Sequence, residues 1–208
     1  MKIGILGAGF VGRAIAKLAI ASGHQVMLSN SRGPQSLFSL RPMIGCEVGT
    51  SAEASEYGEV VVVAVPLHAL ADLPAQLLAA KHLLDAVNYY PERDGEVALL
   101  ESQQITTSEL LGSFLPGARI TKAFNAIPMT DLENGGLPAG NPARRALPLA
   151  GDDAEGKKIA AKLYDEFGFD SFDVGGLAEG WRFERGMPCY CVRMTKGELQ
   201  ISIERAQR

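Results

Sequence analysis

Short apolar segments alternate along this chain with segments of helical periodicity. The apolar segments are rich in β-branched and aliphatic residues, which predicts strands. They lie at residues 2–6, 25–29, 46–48, 60–65, 82–86, 118–124, 146–150 and 171–174. The run Val60 to Val65 has no polar alternation, which is typical of a strand buried on both faces of a parallel sheet.

Helical periodicity fills most of the intervals between these segments. It predicts helices over residues 10–22, 34–40, 51–57, 68–80 with a break at Pro74, 107–115 and 152–167. Asp152 is the expected N-cap of the last of these. Residues 88–104 are rich in charge and turn residues and predict a loop. In the tail we expect a short helix around Trp181, a strand over residues 189–194 and a final helix capped by Thr195.

Alternating strands and helices predict an α/β fold with a doubly wound, mostly parallel sheet, which is the Rossmann-type NAD(P)-binding fold. The 208 residues are enough for one domain and too few for two of ordinary size. We expect a dinucleotide-binding domain over residues 1–184. Residues 185–208 are expected to form a C-terminal extension packed on that same domain.

A glycine-rich turn directly follows the first predicted strand and opens the first predicted helix. Its residues are Gly7, Ala8, Gly9, Phe10, Val11 and Gly12. In this setting the first glycine permits a tight turn, the second lets a pyrophosphate approach the backbone, and the third lets the helix pack on the strand. The free N–H groups of the helix terminus would bind the phosphates. The turn predicts a dinucleotide site.

The end of the second strand favours NADP(H) over NAD(H). NAD sites usually carry an acidic residue there, about 20 residues after the turn, for the ribose 2′-hydroxyl. This chain has Asn30, Ser31 and Arg32 instead, and its first acidic residue is Glu47. A hydroxyl and a guanidinium would donate charge-assisted hydrogen bonds to a 2′-phosphate. Residues 1–46 carry five basic and no acidic residues in a chain of net charge −4, and this local positive field would attract a phosphorylated ligand.

Other classes of protein fit the sequence less well. The basic segment is small, so we expect no nucleic-acid partner. The longest apolar run is too short for a membrane span, and no secretion signal is evident, so we expect a cytoplasmic protein without a membrane partner. The three cysteines, Cys46, Cys189 and Cys191, have neither a second cysteine pair nor a histidine cluster nearby, so we expect no metal site.

Several segments together form a recognisable pattern: Lys2 to Gly12, Ser31-Arg32, Val65 to His68, Lys122 to Asn125, Leu149 to Asp153, and Val174 to Ala178 with Trp181. In combination they resemble the F420-dependent NADP oxidoreductase family, and also the cytosolic reductase domain of the STEAP ferric reductases. The resemblance covers most of residues 1–184. The resemblance implies that strand ends surround the nicotinamide, at Val65, Pro66, Leu67, His68, Asn88, Phe124, Asn125 and Ala126. The loop before His68 is one residue shorter than in the deazaflavin reductases, and residues 88–104 and the tail after Glu184 match them poorly.

These observations favour an NADPH-dependent oxidoreductase that passes hydride to a flavin, a deazaflavin or a similar planar acceptor. His68, Asn88 and Asn125 are the candidates at the hydride-transfer site. Simpler interpretations stay open: His68 as a helix start, Asn88 and Asn125 as turn caps, and Glu184 and Arg185 as a solvated face. The alternative function is a non-catalytic NADP(H)-binding redox sensor or docking module. A small-molecule acceptor is the expected partner, and a homodimer is an open alternative to a monomer.

Overall fold

Eight strands form one sheet in this computed structural model, which describes all residues from 1 to 208. The strands are β1 (Lys2–Leu6), β2 (Gln25–Ser29), β3 (Glu47–Gly49), β4 (Val60–Val63), β5 (His82–Asp85), β6 (Arg119–Lys122), β7 (Ala146–Gly151) and β8 (Asp170–Asp173). Their order is β3-β2-β1-β4-β5-β6-β7-β8. All neighbours are parallel except β6 and β7, so the expected doubly wound, mostly parallel sheet is confirmed.

Ten helices flank the sheet. They are α1 (Phe10–Ala21), α2 (Leu40–Ile44), α3 (Ser51–Tyr57), α4 (Ala75–Leu78), α5 (Pro91–Asp94), α6 (Ala98–Glu101), α7 (Thr107–Phe114), α8 (Met129–Asn134), α9 (Ala154–Glu166) and α10 (Lys196–Arg205). Three 3-10 segments add Pro34–Leu37, Leu67–Asp72 and Leu177–Phe183. None of the helices is both long and apolar enough to cross a membrane.

The four valines of β4 show why the sheet is covered on both faces. Val60 and Val62 pack in the cluster that contains the buried residues of α1 and α9, and Val61 and Val63 pack in the cluster that contains those of α3 and α7. Successive side chains of a strand point to opposite faces, so each layer of helices covers alternate valines. Both faces of β4 are therefore buried, which explains why its sequence shows no polar alternation and why the run predicts a central strand.

The tail packs beside β7 and β8, at the end of the sheet beyond the antiparallel β6–β7 pair. Leu199 and Ile203 of α10 share a buried cluster with Ala146, Ala150 and Phe183. The strand expected over residues 189–194 was wrong. Cys191 has a φ of +59°, in the left-handed region, and the segment turns through bonds such as that from the Tyr190 amide to the Met187 carbonyl oxygen. The division at residue 184 stays a prediction.

Three other local predictions need correction. Residues 88–104 contain α5 and α6 rather than loop alone. Residues 68–80 break at Pro74 as expected, but the part before the break is a 3-10 segment rather than an α-helix, and the part after it is the short α4. The N-cap of α9 is Asp153, whose carboxylate accepts from the Gly156 amide at 3.0 Å. The predicted cap, Asp152, instead accepts from the Leu177 amide at 3.0 Å.

Candidate functional site

A cavity of about 930 Å³ lies at the carboxyl ends of β1, β2, β4 and β5. The order of the strands reverses at β1, which lies between β2 and β4. Such a reversal leaves a crevice outside the strand ends, where ligands of this architecture bind. The predicted residues that line the cavity are Gly7, Ala8, Gly9, Phe10, Val11, Asn30, Ser31, Arg32, Val65, Pro66 and Asn88. The structure therefore brings together both ends of the predicted dinucleotide site.

The three glycines of the turn differ in what surrounds them. A Cβ on Gly7, whose φ is +112°, would lie 2.3 Å from the Ala64 carbonyl oxygen, and a Cβ on Gly12 would lie 1.9 Å from the Gly7 carbonyl oxygen. A Cβ on Gly9 would meet no heavy atom within 4 Å. The fold itself thus requires Gly7 and Gly12. Gly9 leaves open space directly before α1, whose first turn carries no acidic residue.

The loop after β2 is held by its own hydrogen bonds. The Asn30 side chain accepts from the Arg32 amide at 3.1 Å and donates to the Ser36 hydroxyl at 2.9 Å. Ser31 and Arg32 are exposed on the cavity wall. No carboxylate pairs with Arg32, whereas Arg41 nearby in sequence forms an ion pair with Glu47 at 2.7 Å. The Arg32 guanidinium is therefore available to an anion.

Six of the predicted residues lie outside the cavity lining: Gly12, Leu67, His68, Phe124, Asn125 and Ala126. Gly12 and Leu67 are buried, and the His68 side chain is 63% exposed with its Nδ1 3.8 Å from an Asp94 carboxylate oxygen. Asn125 is also buried, 1% exposed. Gly12 serves the close packing predicted for it. Contact of Leu67, His68 and Asn125 with a ligand stays a prediction.

Asn125 is connected to the cavity through Asn88. The Asn88 Nδ2 donates to the Asn125 carbonyl oxygen at 3.1 Å, and the Asn125 Nδ2 donates to the Val87 carbonyl oxygen at 2.7 Å. Phe124, immediately before Asn125, has a φ of +66°, and its amide donates to the Tyr164 hydroxyl at 2.7 Å. Such backbone strain persists only where the surroundings enforce it. This pairing fixes Asn88, the residue that lines the cavity.

A buried ionic group lies beside these strand ends. Lys122, at the end of β6, donates to the Ser108 hydroxyl at 3.3 Å and to a Glu184 carboxylate oxygen at 3.1 Å. Ser108 in turn donates to Asp85, at the end of β5. Burial raises the pKa of Asp85 above its ordinary value despite the nearby Lys122 ammonium. Burial would also raise the pKa of Glu184, but Lys122 and the Thr107 amide outweigh it, and the pKa is lowered.

This group shows that the prediction of a solvated face at Glu184 was wrong. Only 22% of its side chain is exposed, and its partner Lys122 is fully buried. The Lys122 to Asn125 segment was recognised from its family pattern, but its buried acidic partner lies 62 residues away in the chain. No local sequence signal connects the two positions.

Sequence reasoning also missed several residues that line the cavity. Arg13, in the first turn of α1, donates from Nε to the Ala8 carbonyl oxygen at 2.7 Å. Tyr90 lies under the Arg93 guanidinium, 4.9 Å from the ring centroid, and its hydroxyl is hydrogen-bonded to that of Tyr190. Arg13 could have been found from its place one residue after the glycine turn. Tyr90 and Arg93 lie in the loop after Asn88, where the Arg93 guanidinium also donates to the Asn88 carbonyl oxygen at 2.8 Å.

Comparison with known proteins finds a family whose model matches the N-terminal part of the chain. The sequence model of the family described as "NADP oxidoreductase coenzyme F420-dependent" matches residues 2–89, the segment that contains the glycine turn, the loop after β2 and Asn88. A shorter match links the chain to protein YjhV of Escherichia coli K12, with 36% identity over 55 residues. It covers 26% of this chain and 40% of that protein.

Solved structures resemble the chain over much more of its length. The hypothetical protein SMa0349 of Sinorhizobium meliloti has 28% identity and a TM-score of 0.81 over 94% of this chain and 95% of that one. A "putative f420 dependent nadp-reductase" of Arthrobacter sp. FB24 has 26% identity and a TM-score of 0.72, covering 86% and 87% of the two chains. A pyrroline-5-carboxylate reductase of Coxiella burnetii, at 18% identity and a TM-score of 0.61, shares the fold over 86% of this chain and 62% of that one. The expected Rossmann-type fold is confirmed, and the family match over residues 2–89 supports the expected class, an NADP-dependent oxidoreductase.

Proposed function

We propose that this chain binds NADP(H) in the 930 Å³ cavity and passes hydride from NADPH to a planar acceptor such as a flavin or a deazaflavin. The match of residues 2–89 to the model of the F420-dependent NADP oxidoreductase family supports this proposal. One observation carries the cofactor half of the proposal. A single cavity joins the open space at Gly9, the free guanidinium of Arg32 and the strand-end residue Asn88.

The residues of this cavity fit the parts of NADP(H). The amides at the start of α1 would hold the pyrophosphate, because the first N–H groups of a helix have no partner within the helix. Arg32 and Ser31 would hold the 2′-phosphate, and the absence of a carboxylate partner leaves Arg32 its full donor capacity. Arg13 adds positive charge beside the turn. Asp72 is the only acidic residue on the cavity wall, so little repulsion opposes the phosphates.

The opposite end of the cavity is suited to the reactive ring. Ala64, Val65 and Pro66 follow β4, and Ala86 and Asn88 follow β5. Small and apolar residues there would limit the access of water to a bound ring, and Asn88 offers a polar group whose position Asn125 fixes. The bound nucleotide supplies the hydride, so the chain needs mainly to orient two rings in close contact. This agrees with a site that has no acid–base pair of its own on the cavity wall.

The test is NADPH oxidation with a panel of flavins, a deazaflavin, quinones and ferric chelates, alongside titration of NADPH and NADH. We expect NADPH to bind more tightly than NADH and to be oxidised by at least one planar two-electron acceptor. Tight NADPH binding with no turnover on the whole panel would instead support the alternative, a redox sensor or docking module. Absence of NADPH binding would contradict both functions.

The partners of the protein, its location and its oligomeric state are part of the same proposal. A small-molecule acceptor needs no macromolecular partner, so we propose neither a nucleic-acid nor a membrane partner for the reaction. A cytoplasmic location and the choice between a monomer and a homodimer stay predictions.

A further inference from the structure

A second cavity, of about 410 Å³, adjoins the first at Asn88, which lines both. Its apolar wall includes Tyr89, Leu100, Ile105 and Met187. The rest of the lining is largely polar or charged, so the cavity offers both an apolar surface for a ring and polar groups that can set its orientation. A molecule in the second cavity would therefore lie next to whatever occupies the reactive end of the first.

Three acidic residues line this second cavity, and Glu184 is the one that is hydrogen-bonded to buried groups. Its carboxylate accepts from the Thr107 amide at 2.9 Å and from the buried Lys122 ammonium at 3.1 Å. The other two carboxylates on the wall are engaged at the surface: Glu92 with Arg185, and Glu101 with the Tyr89 hydroxyl. Lys122 keeps the Glu184 carboxylate charged, so it can only accept hydrogen bonds from a ligand.

We propose that the second cavity binds the hydride acceptor and that Glu184 selects planar rings whose polar edge carries an N–H donor. The proposal rests on the proposed function for the identity of the ligand as the acceptor. A ring with an imide N–H, such as a flavin or deazaflavin, would donate a charge-assisted hydrogen bond to Glu184. A quinone presents only carbonyl oxygens at its edge, and these would face the carboxylate with no proton between them.

The energetic difference is large enough to measure. A hydrogen bond to a charged group contributes enough to change an equilibrium constant by about tenfold to about a hundredfold. Blocking the donor on the ligand should weaken binding as much as removing the carboxylate from the protein does. The two changes together should weaken binding little more than either one alone.

The experiment compares binding of lumiflavin and 3-methyllumiflavin, which lacks the imide N–H. The chain has a single tryptophan, Trp181, and it lines the second cavity, so quenching of its fluorescence reports occupancy of this cavity. Saturating NADP+ is present throughout, because the oxidised nucleotide cannot reduce the flavin. We expect the wild type to bind lumiflavin at least about tenfold more tightly than 3-methyllumiflavin.

The variants Glu184→Gln and Glu184→Ala test the role of the residue. The preference, which is the ratio of the affinity for lumiflavin to that for 3-methyllumiflavin, should fall in Glu184→Gln and approach one in Glu184→Ala. The preference is a ratio within one protein, so partial unfolding of a variant would not alter it. Glu96→Gln is the matched control, because Glu96 is exposed in the neighbouring loop and does not line the cavity. It should keep the wild-type ratio.

The outcomes separate this inference from the proposed function. Equal binding of the two flavins by the wild type, or an unchanged ratio in both Glu184 variants, would overturn the role of Glu184 even if the protein oxidises NADPH. A clear ratio that depends on Glu184, in a protein that reduces no acceptor, would support the binding site and contradict the proposed activity.

Discussion

Asn88 and Asn125 join the carboxyl ends of β5 and β6 through side-chain amides that each donate to a backbone carbonyl oxygen. Asn88 donates to Asn125 at 3.1 Å, and Asn125 donates to Val87, the neighbour of Asn88, at 2.7 Å. Asn88 lines both cavities, whereas Asn125 is buried. The structure thus separates the two roles: Asn88 is placed to touch a ligand, and Asn125 positions Asn88.

Asn125→Ala should lower turnover while changing NADPH affinity little. The change removes the donor to Val87 and leaves a buried carbonyl oxygen unpaired, which costs about 1–3 kcal/mol of folding stability. It also lets Asn88 move, and hydride transfer is sensitive to small displacements of the reacting rings. Steady-state kinetics with an active acceptor and NADPH titration would measure the two effects. Asn134→Ala is the control, because Asn134 donates to the Thr130 carbonyl oxygen on the surface. Full turnover in Asn125→Ala would contradict the positioning role.

Arg32→Ala should discriminate between the two nicotinamide dinucleotides. Loss of a charge-assisted bond to the 2′-phosphate costs about 1.5–3 kcal/mol, which corresponds to about tenfold to about a hundredfold weaker NADPH binding. NADH, which has no 2′-phosphate, should bind as it does to the wild type. Titrating both nucleotides against both proteins provides the measurement.

Arg41→Ala is the matched control for this change. Arg41 also lies in the basic N-terminal segment, but it pairs with Glu47 and does not line the cavity. It should leave both affinities close to those of the wild type. Equal losses of NADPH and NADH affinity in Arg32→Ala would contradict the proposal that Arg32 binds the 2′-phosphate.

The parts of the fold and site that could be predicted are those that depend on local sequence. The glycine turn, the run Val60–Val63 and the loop with Arg32 each carry their signal within a few residues. The parts that could not be predicted depend on contacts between distant segments. Glu184 can be largely covered because a lysine on β6 neutralises it, and a single sequence gives no sign of that pairing. The tail around Cys191 has the hydrophobicity expected of a strand, but its positive φ and its turn hydrogen bonds rule a strand out.

Folding stability should depend on pH through Glu184. The pKa of Glu184 is lowered in the folded protein, so its ionisation stabilises the fold above the unfolded pKa of about 4.3. That contribution is lost as the pH falls from there through the folded pKa. Glu184→Gln lacks it at every pH. Thermal melts from neutral to acidic pH should show a difference between wild type and variant that is largest near neutrality and shrinks in acid. A difference that does not change with pH would show that Glu184 contributes nothing through its charge.

Substitution by valine should affect ligand binding at Gly9 and folding stability at Gly12. A Cβ on Gly9 meets no protein atom within 4 Å, so Gly9→Val should fold with a melting temperature close to that of the wild type. The valine would occupy the space proposed for the pyrophosphate, so NADPH should no longer raise the melting temperature. A Cβ on Gly12 would lie 1.9 Å from the Gly7 carbonyl oxygen, so Gly12→Val should disrupt the turn itself and lower the melting temperature without any ligand. Circular dichroism melts with and without NADPH distinguish the two effects. If Gly9→Val were stabilised by NADPH as strongly as the wild type, the dinucleotide would have to bind away from the glycine turn.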